Sequence, residues 1–178
     1  MHTPASIAKH PIHPMIVPIP IGLWLFSLFC DLVHRFGGAS PNWEVVAWYT
    51  MIGGIVGALI AAVPGFIDLL SLPKDIQRTA IKHMALNLSI VALFVINAFV
   101  RRDGVTDAAI WLSVIAIALL LVSGWLGGKM VYEAGVAVDT RAGAERTTVR
   151  ARSYLGPERR TSPSRSGYFG PERRMATQ

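Results

Sequence analysis

Val45-Val46-Ala47-Trp48-Tyr49-Thr50-Met51-Ile52-Gly53-Gly54-Ile55-Val56-Gly57-Ala58-Leu59-Ile60-Ala61-Ala62-Val63-Pro64-Gly65-Phe66-Ile67 runs for 23 residues without a charged side chain. A bilayer core of roughly 30 Å is crossed by about 20 mostly apolar residues in an α-helix, so this stretch reads as a membrane span over residues 45–70. Three further runs meet or approach the same criterion, at residues 15–33, 80–100 and 108–128. The last is uncharged throughout. Asp31 near the end of the first run, and Lys82 and His83 near the start of the third, stand where polar groups reach the membrane interface. The expected fold is therefore all-α, a four-transmembrane-helix bundle over residues 15–138. A short histidine-proline entrance, residues 1–14, precedes it, and residues 139–178 follow as a tail.

Composition agrees. The chain is 52% hydrophobic and only 16% charged, against about 25% charged in ordinary soluble domains, and its mean hydropathy is +0.45. Nine arginines against four acidic residues give the tail +5 of the total charge of +6, so the basic pI belongs to the appendage. One cysteine, Cys30, excludes a disulfide framework, a zinc ribbon and a CxxC redox pair. Bulky Phe29 ahead of it argues against lipidation, and the N-terminus lacks the build of a cleaved signal peptide. Phosphate-loop, nucleophile-elbow, dinucleotide-binding and c-type haem motifs are absent from the sequence. No loop between spans is long enough for a separate soluble domain, so any chemistry sits inside the bundle or at its rim.

Lysine and arginine set orientation. With four spans, Lys9, Lys74, Arg78, Lys82, Lys129 and the tail arginines share one side, against Arg35, Arg101 and Arg102 on the other. Both termini are expected in the cytoplasm, with Trp43, Trp48 and Trp111 at the outer interface.

Gly53, Gly57, Ala61 and Gly65 recur every four residues, a small-residue stripe that lets another helix approach closely. It serves packing within the chain or a homodimer, and Gly124 with Gly128 repeats it in shorter form. On the third span His83, Asn87, Ile90, Phe94 and Asn97 share one face. Its polar members belong inside the bundle, since lipid offers them no partner. Asp68 lies on the packed side of the second span, as a helix-end hydrogen-bonding group, a partner of Lys74, Arg78 or Lys82, or a ligand.

Lys9-His10-Pro11-Ile12-His13-Pro14 enters the first span with each histidine followed by proline, which favours extended or polyproline geometry. In that geometry His10 and His13 face the same way, about 9 Å apart. By the topology they share a rim with Asp68 and His83. Histidines with one carboxylate are the donors of zinc, copper and non-haem iron, and two opposed histidines hold a haem between helices. His10, His13 and His83 are thus the candidate cofactor ligands. With Asp68 they form the candidate metal set, a site suited to electron transfer. The competing reading makes the histidines structural and the protein a non-enzymatic membrane scaffold that recruits a partner. A solute or proton path along His83, Asn87 and Asn97 is disfavoured by the little room four helices leave.

The tail carries Tyr154-Leu155-Gly156-Pro157-Glu158-Arg159-Arg160 and, fourteen positions later, Tyr168-Phe169-Gly170-Pro171-Glu172-Arg173-Arg174. Its composition reads as disordered. Association with anionic lipid and docking of a cytoplasmic protein both fit it, whereas nucleic acid is the weakest partner in the absence of a folded stacking platform.

Taken in order and spacing, His10-Pro11-Ile12-His13-Pro14-Met15, Val17-Pro18-Ile19-Pro20-Ile21-Gly22, Pro64-Gly65-Phe66-Ile67-Asp68, His83-Met84-Ala85-Leu86-Asn87-Leu88 and Ser123-Gly124-Trp125-Leu126-Gly127-Gly128 resemble the bacterial four-helix membrane proteins of the domain of unknown function 2231 family. The resemblance covers about residues 9–138. It implies a multi-pass protein of the bacterial inner membrane with no assigned reaction, and matches His10, His13, Asp68 and His83 to the family's polar motif positions. It also implies a histidine ahead of the last Gly-Val, where this chain has Ala134 before Gly135-Val136.

Overall fold

The computed structural model of the chain describes residues 4–138 apart from Lys9, Ala39 and Ala137. The tail, its repeat and the disorder expected of it lie outside the described residues.

A two-residue strand pair opens the described chain, with β1 (Ser6–Ile7) antiparallel to β2 (His10–Pro11). Five helices follow: α1 (Ile12–Ile16), α2 (Pro18–Phe36), α3 (Pro41–Leu70), α4 (Lys74–Val100) and α5 (Asp107–Tyr132). α1 and α2 are one span, Ile12–Phe36, 25 residues long. The break between them follows from Pro18 and Pro20, which have no N–H to continue the helical ladder. Val17 keeps a helical backbone and bridges the break, its N–H donating to His13 O at 3.1 Å.

Four helices are thus long and apolar enough to cross a membrane, as the sequence predicts. Each extends beyond its apolar run. α4 begins at Lys74 rather than near residue 80, because Lys, Gln and Arg are good helix formers wherever the hydropathy ends. Its 27 residues make about 40 Å of helix, longer than the bilayer core. The apolar side chains outside the bundle, such as Trp125 at 77% exposure and Leu121 at 73%, face the lipid.

The small-residue stripe of α3 packs within the chain. A Cβ on Gly53 would touch Leu23 at 3.3 Å, and one on Gly57 would touch Pro20 at 3.4 Å. Gly54, one position off the stripe, is the tightest contact of all: the Trp24 indole occupies the space a side chain would need. Trp24 in turn stacks on Phe94, ring centroids 4.4 Å apart and planes 10° from parallel. Met51, Ile55, Ile90 and Ala116 complete this apolar middle layer. The shorter stripe on α5 has no such role, since Gly124 has nothing within 4 Å.

One end of the bundle carries the α2–α3 and α4–α5 connections and is called here the loop end. The other, carrying the N-terminal strands, the α3–α4 connection and the close of α5, is the terminal end. The loop end corrects one expectation. Asp31 does not reach an interface, and Arg101 is not a free loop cation: their side chains are 0% and 2% exposed and pair with each other inside the bundle. Arg101 Nη1 also lies 3.9 Å from Met51 Sδ. Beside them Asn97 Nδ2 donates to Ala109 O at 2.8 Å and to Ser113 Oγ at 2.7 Å, joining α4 to α5. Ser27 Oγ donates to Ala47 O at 2.8 Å, joining α2 to α3. His34, at the end of α2, is a helix-terminal residue whose Nδ1 lies 3.0 Å from Ser40 O.

Candidate functional site

The terminal end brings His13 and His83 together. Their ring centroids are 6.5 Å apart with the planes perpendicular. Each ring is fixed through Nδ1 to a carbonyl of a neighbouring helix.

His13 comes from α1, where Pro14 is tolerated because the first turn of a helix needs no N–H donors. Its Nδ1 lies 2.8 Å from Ala61 O of α3. That carbonyl lies one turn ahead of Gly65 on α3, next to that of Ile60, whose i→i−4 donor Pro64 removes. Gly65 makes the approach possible, because a Cβ there would lie 2.8 Å from His13 Nδ1. Gly65 and His13 are therefore one local device. A carbonyl accepts only, so Nδ1 carries a proton, and in the neutral ring the lone pair is on Nε2.

His83 is on α4, nine residues and about 14 Å from its start at Lys74. Its Nδ1 lies 2.9 Å from Ser123 O and 3.0 Å from Ser123 Oγ on α5. Asn87, one turn on, places Nδ2 3.1 Å from His83 Nε2 and 2.9 Å from His83 O. An amide N–H at Nε2 makes that nitrogen the acceptor, so His83 also carries its proton on Nδ1. Gly127 is the small residue facing this ring, with a would-be Cβ at 3.3 Å from Cε1. The glycine that matters on α5 is thus Gly127 and not Gly124 or Gly128.

The other two candidate residues take separate partners. His10 is extended as expected, in β2, but His13 is helical, in α1, so no polyproline turn runs from one to the other. The strand pairing of His10 with Ile7 replaces the turn that was to align it with His13, and its exposed Nδ1 lies 2.9 Å from Ala8 O. Asp68, 9% exposed, accepts from Ala5 N–H at 2.9 Å and so ties the N-terminal segment to the end of α3. Among the described residues, no group of three or more His, Cys, Asp or Glu side chains is placed to hold one metal ion. The rim expected to collect four ligands brings two imidazoles together.

The shared face of α4 holds as expected. Ile90, Phe94 and Asn97 are fully buried, with His83 and Asn87 half-buried toward the terminal end. Its continuation by one more turn to Arg101, opposite the series Trp24, Ser27 and Asp31 on α2, is the signal that would have revealed the buried ion pair.

No curated protein and no solved structure matches the chain significantly. A family model described as "Predicted membrane protein (DUF2231)" matches residues 9–140, a region that takes in β2, all five helices and both histidines of the pair. The chain belongs to the DUF2231 family of membrane proteins.

Proposed function

We propose that this is a protein of the bacterial inner membrane whose His13–His83 pair takes a transition-metal centre and passes electrons through it. Support comes chiefly from how the two rings are held. Each imidazole is fixed through Nδ1 by a backbone carbonyl, the arrangement by which proteins orient a metal-binding histidine and direct the Nε2 lone pair to the ligand. Two metal–nitrogen bonds of about 2 Å plus two ring radii of about 1.2 Å span roughly 6.4 Å, close to the 6.5 Å between the ring centroids. Protein sites for zinc use three or four side chains. A haem iron requires two axial ligands only, and copper accepts imidazole readily. The donor count therefore favours a haem iron or a copper ion over zinc. His10 and Asp68, held by Ala8 and Ala5, are not ligands in this reading.

Orientation follows the basic residues. With Arg101 inside the bundle, the loop end presents only Arg35 and Arg102 to water, against Lys74, Arg78, Lys82 and Lys129 at the terminal end. The imbalance supports a cytoplasmic side for both termini and for the histidine pair.

A structural role for the histidines is the second reading, favoured by Asn87, whose amide already occupies His83 Nε2. Metal analysis and an absorption spectrum of the purified full-length chain separate the two. A stoichiometric copper ion or a haem Soret band is expected. Absence of both, in protein prepared from cells supplied with iron and copper, leaves the structural role.

A further inference from the structure

The two rings of the terminal-end pair are not equivalent. Both are half-buried and both are fixed through Nδ1. His13 Nε2 has no hydrogen-bond partner among the described residues, whereas His83 Nε2 faces the Asn87 side chain at 3.1 Å. A second contact fixes which atom of Asn87 stands there. The same atom lies 2.9 Å from His83 O, and a carbonyl oxygen takes only a donor, so it is the amide nitrogen. Nδ2 carries two N–H groups, one for each acceptor.

An imidazole nitrogen offers one lone pair, and a metal bound to it sits at about 2 Å. A donor nitrogen 3.1 Å out on the same lone pair fills that place. His83 therefore takes no metal until Asn87 moves, while His13 has no such obstacle. The ring itself is held on its far side by Ser123 O at 2.9 Å and Ser123 Oγ at 3.0 Å, so the amide is the part that yields. Its contact with His83 O remains when it lets go of Nε2, and loading gives up one hydrogen bond rather than two.

We infer that Asn87 is the gate of the histidine pair: a metal centre is captured first on His13 and completed on His83 when the Asn87 amide turns aside. This deepens the metal-centre reading of the pair and rests on it. Asn87 is not a ligand; it sets how readily the second ligand is given. A binding-competent form that is only partly populated lowers the apparent affinity by its fraction, so removing the amide raises affinity. A merely structural contact, steadying one turn of α4, predicts no such gain, because losing it would loosen His83.

Titration of the full-length chain in detergent with copper(I) and, separately, with haem tests this. N87L keeps the approximate size of the side chain and removes the donor. It is expected to bind the metal about fivefold more tightly than wild type, the scale of one net hydrogen bond, and the gain should vanish when H83N is added. A second measurement needs no variant. Asn87 is one of three asparagines, with Asn42 and Asn97, so asparagine-selective nitrogen labelling resolves its side-chain amide by NMR. Saturating the wild type with diamagnetic copper(I) should shift that signal and leave those of Asn42 and Asn97 in place. A wild type that binds metal with its Asn87 amide unmoved, or an N87L protein that binds no more tightly, would overturn the gate and leave the metal centre standing. Failure of both wild type and N87L to take up copper or haem would overturn the two together.

Discussion

Asp31 and Arg101, 70 positions apart, face each other inside the bundle with side chains 0% and 2% exposed. The pair joins α2 to the end of α4, and its removal has an asymmetric consequence. Losing one partner leaves a buried charge alone, at about 3–5 kcal/mol, whereas replacing both with apolar residues is near neutral. D31N or R101M alone should therefore lower the unfolding temperature in detergent sharply, and D31L combined with R101M should recover most of the loss. Additive losses in the double variant would show that the two groups do not interact.

The glycines divide into those that face a side chain and those that do not. G54A drives a methyl into the Trp24 indole and G65A into His13, and each should cost about 1–3 kcal/mol as an overpacked site. G22A and G124A meet nothing within 4 Å and should stay within about 0.5 kcal/mol of wild type. Thermal unfolding of the four variants side by side reads this directly. A G65A protein as stable as G124A would contradict the placement of His13 on Ala61.

Topology is tested by reporter fusions at Gly38, Asp75, Gly104 and Thr177. Signals from outside the cytoplasm are expected at Gly38 and Gly104, and cytoplasmic signals at Asp75 and Thr177. A cytoplasmic signal at Gly38 would reverse the orientation.

The four spans were legible because length and freedom from charge identify a membrane helix without knowledge of its neighbours. The inward face of α4 was legible for a similar reason, since Ile90, Phe94 and Asn97 follow helical spacing. Asp31 and Arg101 were not, because hydropathy along one chain reads a charge near a helix end as interfacial, and only the partner helix shows it to be paired. His10 and His13 failed differently. The two prolines suggested one continuous geometry, but Ser6–Ile7 offers His10–Pro11 a strand partner and the chain turns helical at Ile12. Gly65 belongs to the stripe by its spacing, and its service to His13 depends on the N-terminal segment bringing that ring against α3.

The basic tail permits a separation of charge from sequence. If it acts through lipid electrostatics, scrambling both Tyr-x-Gly-Pro-Glu-Arg-Arg units at fixed composition leaves binding of a tail peptide to anionic vesicles intact, and salt releases it. If it docks a protein, changing Tyr154 and Tyr168 together abolishes capture of that partner, while changing one costs mostly avidity. We expect the lipid outcome. A scrambled peptide that loses vesicle binding at unchanged charge would exclude it.

The histidine pair is tested most directly by the absorption and electron paramagnetic resonance spectra of purified full-length protein, recorded oxidised and then reduced, for wild type, H13N, H83N and H10N. The account predicts a redox-active metal or haem signal in wild type and H10N that is lost in H13N and in H83N, with all four proteins folded. A signal that survives H13N and H83N, or a folded wild type that is spectroscopically silent in both states, would contradict it.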